Sequence, residues 1–452
     1  MKKLFSSTKE FTLWWLIFGF GFALSIIMAM RSQIGGDQLM MLELGWKLVK
    51  DGQWLQYGMP TSAGGRSPGG LMSLLMAIPL WTWPDYRSPA VFIAVLHAFG
   101  FIILAYTLRE TLTRRGMWLL MLLVWLNPWR MYFSAHIWNS NLMFIAAILH
   151  LASAQRMLKH KEAWNSCAQT LLIALAMQIH TSAAVLAVLS LLLWWKHIIK
   201  IHWGGIALGA ILGIATYVPW LVTLHNDPTL TPGDKGFFLR GLIYVFPLVR
   251  GILYWIKMPS LFFASRMEDL DFSLVTGYNV NTALIWFGAA ITYLGYLTVI
   301  PSAWAQWRFT RKLWPSVRHP INAPISTRTW LKIYIALSMV AAIFCFCISP
   351  TTIMFWQVFI SLPAAALVLI TTGEALIRSK AKTKTLQTIK TWSVLTVILI
   401  ILQSFGAPMY RCKGLNLDFT TNELIQLNGK NSCLVSKNQS PNTEIENVPS
   451  KK

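Results

Sequence analysis

The sequence predicts an all-α polytopic membrane protein, and three observations carry that fold class. Of its 452 residues, 55% are hydrophobic and only 12% charged, with a mean hydropathy of +0.51. The apolar residues recur in runs of about 20, the length at which a helix crosses roughly 30 Å of hydrocarbon. Basic residues gather in the short connections between runs, as they do in cytoplasmic loops.

Taken in order, the runs give about eleven spans: 11–30, 88–108, 117–133, 139–155, 166–180, 181–195, 203–221, 284–304, 330–348, 352–372 and 391–408. The first is too long for the apolar part of a signal peptide, and no small-residue cleavage site follows it. The stretch 166–195 also fits one long helix. With Lys2, Lys3 and Lys9 holding the N-terminus in the cytoplasm, the basic clusters fall on that same side. Those clusters are Arg109/Arg114/Arg115, Arg156/Lys159/Lys161, Lys196/Lys200, Arg308 to Lys332 and Arg378 to Lys390. The other side receives 31–87, 222–283 and the tail after 409, with tight turns near 134–138, 180 and 349. The expected location is the inner (plasma) membrane of a bacterium. Residues 1–408 then form one transmembrane catalytic domain, and 409–452 an extracytoplasmic tail whose last ~20 residues are disordered by composition.

Only the two long outer segments have room for a folded surface. In the first, 38–50 predicts a helix lying in the interface. Glu43, Lys47 and Lys50 share one stripe at i, i+4 and i+7, and Met41, Leu42, Leu44, Trp46, Leu48 and Val49 cover the rest. The apolar run 69–83 is short for a span, and counting it as one would reverse the side of Arg114 and Arg115. It predicts a second interfacial helix, anchored by Trp81 and Trp83.

Composition also excludes function classes. The net charge of +22 is spread over short loops, which fits topology and anionic lipid rather than a nucleic-acid partner. Cys167, Cys345 and Cys347 lie in or beside apolar runs as inert thiols. Cys412 and Cys433 lie in the polar tail and can pair if it faces an oxidising compartment. Two cysteines without a nearby histidine at ligand spacing do not make a zinc site, so no metal is predicted. The phosphate-loop, zinc-protease and serine-hydrolase motifs are absent from the sequence.

The candidate site begins with Asp37, which follows Gly35-Gly36 a few residues beyond the first span. A carboxylate there can take a proton from a substrate whose partner is anchored in lipid. The same position suits a helix N-cap. Arg66, just before Ser67-Pro68, offers a guanidinium that binds two phosphate oxygens at once. His136, Trp138 and Asn139 cluster at a short outer turn, the imidazole for a hydroxyl or phosphate and the indole for a sugar face. His180 marks another outer helix end. Lys235, Arg240, Arg250 and Lys257 stand among apolar residues of the second outer segment, where long cationic chains reach lipid phosphates.

Four stretches, in this order, resemble the GT-C superfamily of membrane glycosyltransferases over the first ~225 residues. They are Gly36-Asp37-Gln38, Glu43 through Asp51-Gly52, Gly65-Arg66-Ser67-Pro68-Gly69-Gly70, and Asn127-Pro128-Trp129 through Trp138-Asn139. The likeness is greatest to the branch holding protein mannosyltransferases and the aminoarabinose transferase of lipid A. It implies inverting transfer of a sugar from a polyprenyl-phosphate donor to a glycan, lipid or protein acceptor at the extracytoplasmic face. Asp37 would be the base, and Arg66 would lie near the donor phosphate. Two departures stand out: Gln38 where the family often has a second acid, and Asn139 and Asn141 where it often has an aspartate. Both weigh against a hard divalent ion, and no cofactor is expected. Two other classes compete: an O-antigen polymerase or ligase, and a lipid-linked sugar flippase or transporter, for which His97 and Glu374 are the nearest intramembrane charges.

Overall fold

The computed structural model describes residues 7–31, 36–60, 65–227, 245–262, 278–318, 325–349, 353–379 and 381–406. Lys235, Arg240, Cys412, Cys433 and the whole C-terminal tail lie outside these segments. Among the described residues, eight helices are long and apolar enough to cross a membrane. They are Thr8–Ala29, Ser88–Leu108, Asn139–Lys159, Trp203–Asn226, Val280–Leu313, Thr327–Cys347, Phe355–Ile377 and Lys382–Phe405. Each overlaps one predicted span, so the polytopic all-α expectation holds.

The chain opens with α1 (Thr8–Ala29), started by Ser7, whose hydroxyl accepts the Glu10 N–H at 3.2 Å. Then come α2 (Gly36–Asp51), a hairpin of β1 (Tyr57–Pro60) and β2 (Arg66–Pro68), and α3 (Leu71–Thr82). α3 has 12 residues, about 18 Å of helix, which is too short to span. α4 (Ser88–Leu108) crosses next, with Pro89 in its first turn where a missing N–H does no harm.

The predicted span 117–133 is the first departure. It is broken into α5 (Arg114–Leu120), a π-helical turn over Met121–Trp125, and α6 (Pro128–Ser134). Asn127 makes the break. Its side-chain oxygen accepts the N–H of Trp129 at 2.8 Å, and Pro128 cannot continue the preceding helix. The widened turn brings Trp125 against α1 and α4, where Phe18, Phe101 and Trp125 stack with centroids 4.7 and 5.1 Å apart.

After α7 (Met143–Lys159), the stretch 166–195 proves to be two helices, α8 (Ala163–Ile179) and α9 (Ala184–Trp195). His180 is extended between them, at φ −156° and ψ 136°. α10 (Trp203–Ala215) lies along α8 through a glycine row. A Cβ on Gly209 would sit 2.5 Å from the Cys167 carbonyl oxygen, and one on Gly213 2.7 Å from Ala174 Cβ. Such close approach is how helices pack where lipid supplies no hydrophobic drive. α11 (Val218–Asn226) extends it.

Later come α12 (Val245–Lys257), α13 (Tyr278–Leu297), α14 (Val299–Arg318), α15 (Thr327–Cys347), the short α16 (Phe355–Val358), α17 (Leu362–Ile377) and α18 (Lys382–Phe405). The core sits on α15 and α17. In Phe355–Ile377 78% of the apolar window is buried, against 17% in Trp203–Asn226, whose outward face is left to lipid. Within the core, His150 bonds Tyr334 at 2.9 Å and Ser190 at 2.8 Å, which links α7, α15 and α9. Hydrogen bonds of this kind fix which helices meet.

Candidate active site

The segment between α1 and α4 holds a small folded unit built on α2 and α3. The inward face of α2 buries Leu39, Met41, Leu42, Leu44 and Trp46. Gly45 lets the two helices touch: a Cβ there would lie 2.6 Å from Met76 Cβ. Ser73 adds a hydroxyl donated to the Leu44 carbonyl at 2.6 Å. With that face fixed, Asp37 lies exposed in the first turn of α2. It is a helical residue, not the cap that the sequence also allowed. An acid in the first turn still faces the positive end of the helix dipole.

The polar stripe on α2 forms as expected. Lys47 pairs with Glu43 at 2.8 Å, and that hydrogen bond raises the lysine pKa. Tyr57 and Arg66 stand close enough to act on the same ammonium. Arg66 opens β2 with its guanidinium 4.7 Å from the centre of the Tyr57 ring. Glu43, Lys47, Tyr57 and Arg66 therefore share one patch. Asp37 lies ten residues before Lys47, about 15 Å along the helix axis and roughly 80° round it, so it stands apart from that patch.

The hairpin is seated on the end of α8. Gly69 adopts φ +85°, a conformation that favours glycine, and the Gln178 side chain fills the space a Cβ would need. Gln178 is held in turn by Thr216 at 2.6 Å, and Trp54 donates its indole N–H to the Gly70 carbonyl at 2.9 Å.

The predicted turn residues converge beside this seat, and most of their polar atoms are engaged. His136 donates from Nδ1 to the Tyr132 carbonyl at 2.8 Å and stacks on that ring at 4.1 Å. Trp138 packs on Trp356 at 4.8 Å. Asn139 donates to the Ile179 carbonyl at 3.2 Å, joining the start of α7 to the end of α8. His180 accepts the Ser182 N–H on Nδ1 at 3.1 Å, and burial lowers its pKa to about 4. Such a ring is neutral at physiological pH, with its proton on Nε2. Arg250 belongs to a different element. It lies on α12 between Phe246 and Tyr254 of its own helix, at 5.4 and 5.8 Å.

Three groups escaped sequence reasoning. Arg31, just past the end of α1, donates to the carbonyls of Ser404, at 3.3 Å, and Phe405 at the end of α18. Asp85, 1% exposed, accepts the Arg87 N–H and Nε–H, both at 2.8 Å, and shapes the turn into α4. Arg130 is fully buried, donating to the Trp125 carbonyl at 2.7 Å and to Ser25 at 2.8 Å. An arginine inside an apolar run was the available signal for the last.

The two charges that a transporter would use lie apart. His97 stacks on Phe144 at 4.7 Å and bonds the Asn141 carbonyl at 2.8 Å. Glu374 lies at the other end of the bundle, bonded to Arg328 at 3.0 Å. Among the described residues no cluster of His, Cys, Asp and Glu could hold a metal ion.

No family model and no curated protein sequence matches this chain. Among solved structures it is similar to ArnT from Cupriavidus metallidurans bound to undecaprenyl phosphate. The TM-score is 0.55 over 89% of this chain and 76% of that one, at 12% identity. The fold is ArnT-like. The apo ArnT structure from the same organism aligns at TM-score 0.44 and 13% identity, covering 88% of this chain and 78% of that one. At such identities the likeness concerns architecture alone, and the chemistry has to be argued from the residues.

Proposed function

We propose that this chain is a GT-C-type glycosyltransferase. It moves a sugar from a polyprenyl-phosphate donor to a glycan, lipid or protein of the cell envelope at the outer membrane surface. The observation that carries the reading is Asp37: an exposed carboxylate in the first turn of an interfacial helix, just beyond the first span. An ArnT-like fold supports it, as does the binding of undecaprenyl phosphate by ArnT itself.

In the proposed reaction the acceptor hydroxyl gives its proton to Asp37. Its oxygen attacks the anomeric carbon, and the polyprenyl phosphate leaves with the bonding pair. Inversion follows from the single displacement. Arg66 and Arg250, together with Lys235 and Arg240 of the second outer segment, offset the charge growing on the leaving phosphate. His136, Trp138, Asn139 and His180 line the acceptor or sugar side, with His180 as a neutral donor through Nε2.

The test is sugar transfer by purified, reconstituted protein from a polyprenyl-phosphate sugar, with envelope glycan and lipid masses read in cells with and without the gene. Wild-type activity abolished in Asp37→Asn supports the reading. Translocation of the lipid-linked sugar without transfer would replace it with a flippase.

A further inference from the structure

Two cavities lie at the end of the bundle opposite Asp37, and both border Glu374. One, of about 410 Å³, is lined by Thr113, Arg114, Arg115, Trp118, Glu374 and Arg378. The other, of about 230 Å³, shares Glu374 and Arg378 and adds Arg328 and Lys332. Their position follows from contacts. Arg114 bonds Glu10 at 2.6 Å in the first turn of α1, whereas Asp37 lies past the other end of that 22-residue helix, about 33 Å away.

Glu374 organises this end. Its side chain is 3% exposed and accepts the Thr113 N–H at 2.7 Å, the Thr113 hydroxyl, Arg328 at 3.0 Å and Arg378 at 3.4 Å. One carboxylate thus fixes two guanidinium groups, and Glu10 answers Arg114. No carboxylate partners Arg115 or Lys332 among the described residues. Five cations therefore border the cavities against two carboxylates, leaving a concave surface of fixed positive charge. Guanidinium groups held in place suit the paired oxygens of a phosphate ester.

The walls indicate which phosphate ester. Trp118, Leu112, Leu331 and Ala375 give both cavities apolar sides. The site also lies where membrane-crossing helices end, at Leu108, Thr327 and Ile377, which is headgroup depth. A soluble phosphate has no use for such walls, whereas a glycerophospholipid places its phosphate on the cations and its glycerol and upper acyl chains against them.

We propose that the two cavities form one site for the headgroup of an anionic phospholipid, in the leaflet opposite Asp37. Arg115 and Lys332 supply the unpaired charge, and Arg378 joins the two halves. This assignment does not depend on the transfer activity.

The test uses the full chain purified in a neutral detergent and probed by native mass spectrometry with phosphatidylglycerol, phosphatidylcholine and soluble glycerol 3-phosphate. Wild-type protein should retain phosphatidylglycerol in preference to phosphatidylcholine. The double variant Arg115→Gln/Lys332→Gln should lose that preference by on the order of 30-fold, as expected for two cations near a lipid phosphate. Arg115→Lys/Lys332→Arg should keep it, which separates charge from misfolding, and Lys47→Gln at the other end should leave it unchanged. Equal preference in wild type and the Gln double variant would overturn the site. Glycerol 3-phosphate binding as tightly as the lipid would overturn its lipid assignment.

Discussion

At the end of the bundle where α2 begins, His136, Asn139 and His180 bond to the backbone around helix ends, and Asp37 stands exposed in the first turn of α2. At the opposite end guanidinium groups crowd around one buried carboxylate and border cavities of about 410 and 230 Å³. The polar groups of the outer turns hold backbone in place, and Asp37 is left exposed. Those near Glu374 hold one another and leave positive charge in excess. The proposed catalytic surface calls for the first arrangement, since rigid elements position reactive groups. A surface that binds a headgroup needs the second.

Substitution of one carboxylate at each end is the sharpest way to break this contrast. Asp37→Asn should lower transfer by roughly 10²–10⁴ while the protein stays folded and membrane-inserted, because asparagine cannot take the proton. Asp37→Glu should retain part of the activity. Transfer at the wild-type rate by purified Asp37→Asn would remove the base from the mechanism.

Glu374→Ala should do the reverse, lowering stability with a smaller effect on the rate per folded molecule. It leaves Arg328 and Arg378 facing each other and strips the Thr113 N–H of its acceptor. The arginines are 40% and 52% exposed, so water screens much of the loss, and a cost of about 2 kcal/mol is expected. Thermal unfolding in detergent measures it, and an unchanged midpoint would refute the structural role.

Gly69→Ala probes the seat of the hairpin. The backbone is left-handed there and the Gln178 side chain occupies the Cβ position, so roughly 1–2 kcal/mol of local destabilisation is expected. Proteolysis between Gln53 and Gly70 should quicken, while the Glu374 end keeps its protection. Equal loosening of both ends would mean that the hairpin is not a separate unit.

Much of this contrast was legible in the sequence, and the parts that were not share a physical cause. Apolar length alone placed the eight long helices, and heptad-like spacing placed the Glu43–Lys47 pair. Asp37 was singled out as the proposed base because it follows the first span so closely. The break at Asn127 was written as Asn-Pro, a cap followed by a helix-opening proline, but the apolar run around it reads as continuous. The bend at His180 and the row Gly205, Gly209, Gly213 likewise lie within apolar stretches, where hydropathy carries no information about packing. The Glu374 cluster depends on pairs such as Thr113–Glu374, 261 positions apart, which no local pattern records. Whether Lys235 and Arg240 join Arg66 concerns residues outside the described segments.

The smallest expected effect is invisible at neutral pH. His180 has a folded pKa of about 4, below the usual 6.5, because its half-buried ring is costly to charge. Its Nδ1 must also stay unprotonated to accept the Ser182 N–H that starts the turn into α9. Between about pH 6.5 and pH 4 the unfolded chain takes up a proton that the folded chain refuses. Stability contributed by the neutral ring is therefore complete above pH 6.5 and falls as pH is lowered through that window. His180→Asn keeps an acceptor in nearly the same place, since the asparagine oxygen stands where Nδ1 does, and it cannot be charged. The variant should match wild type at pH 7.5 and unfold at a higher temperature than wild type at pH 5. A parallel fall in both proteins would assign the acid sensitivity to other groups, and a lower midpoint for the variant at both pH values would mean that the imidazole contributes packing that asparagine cannot replace.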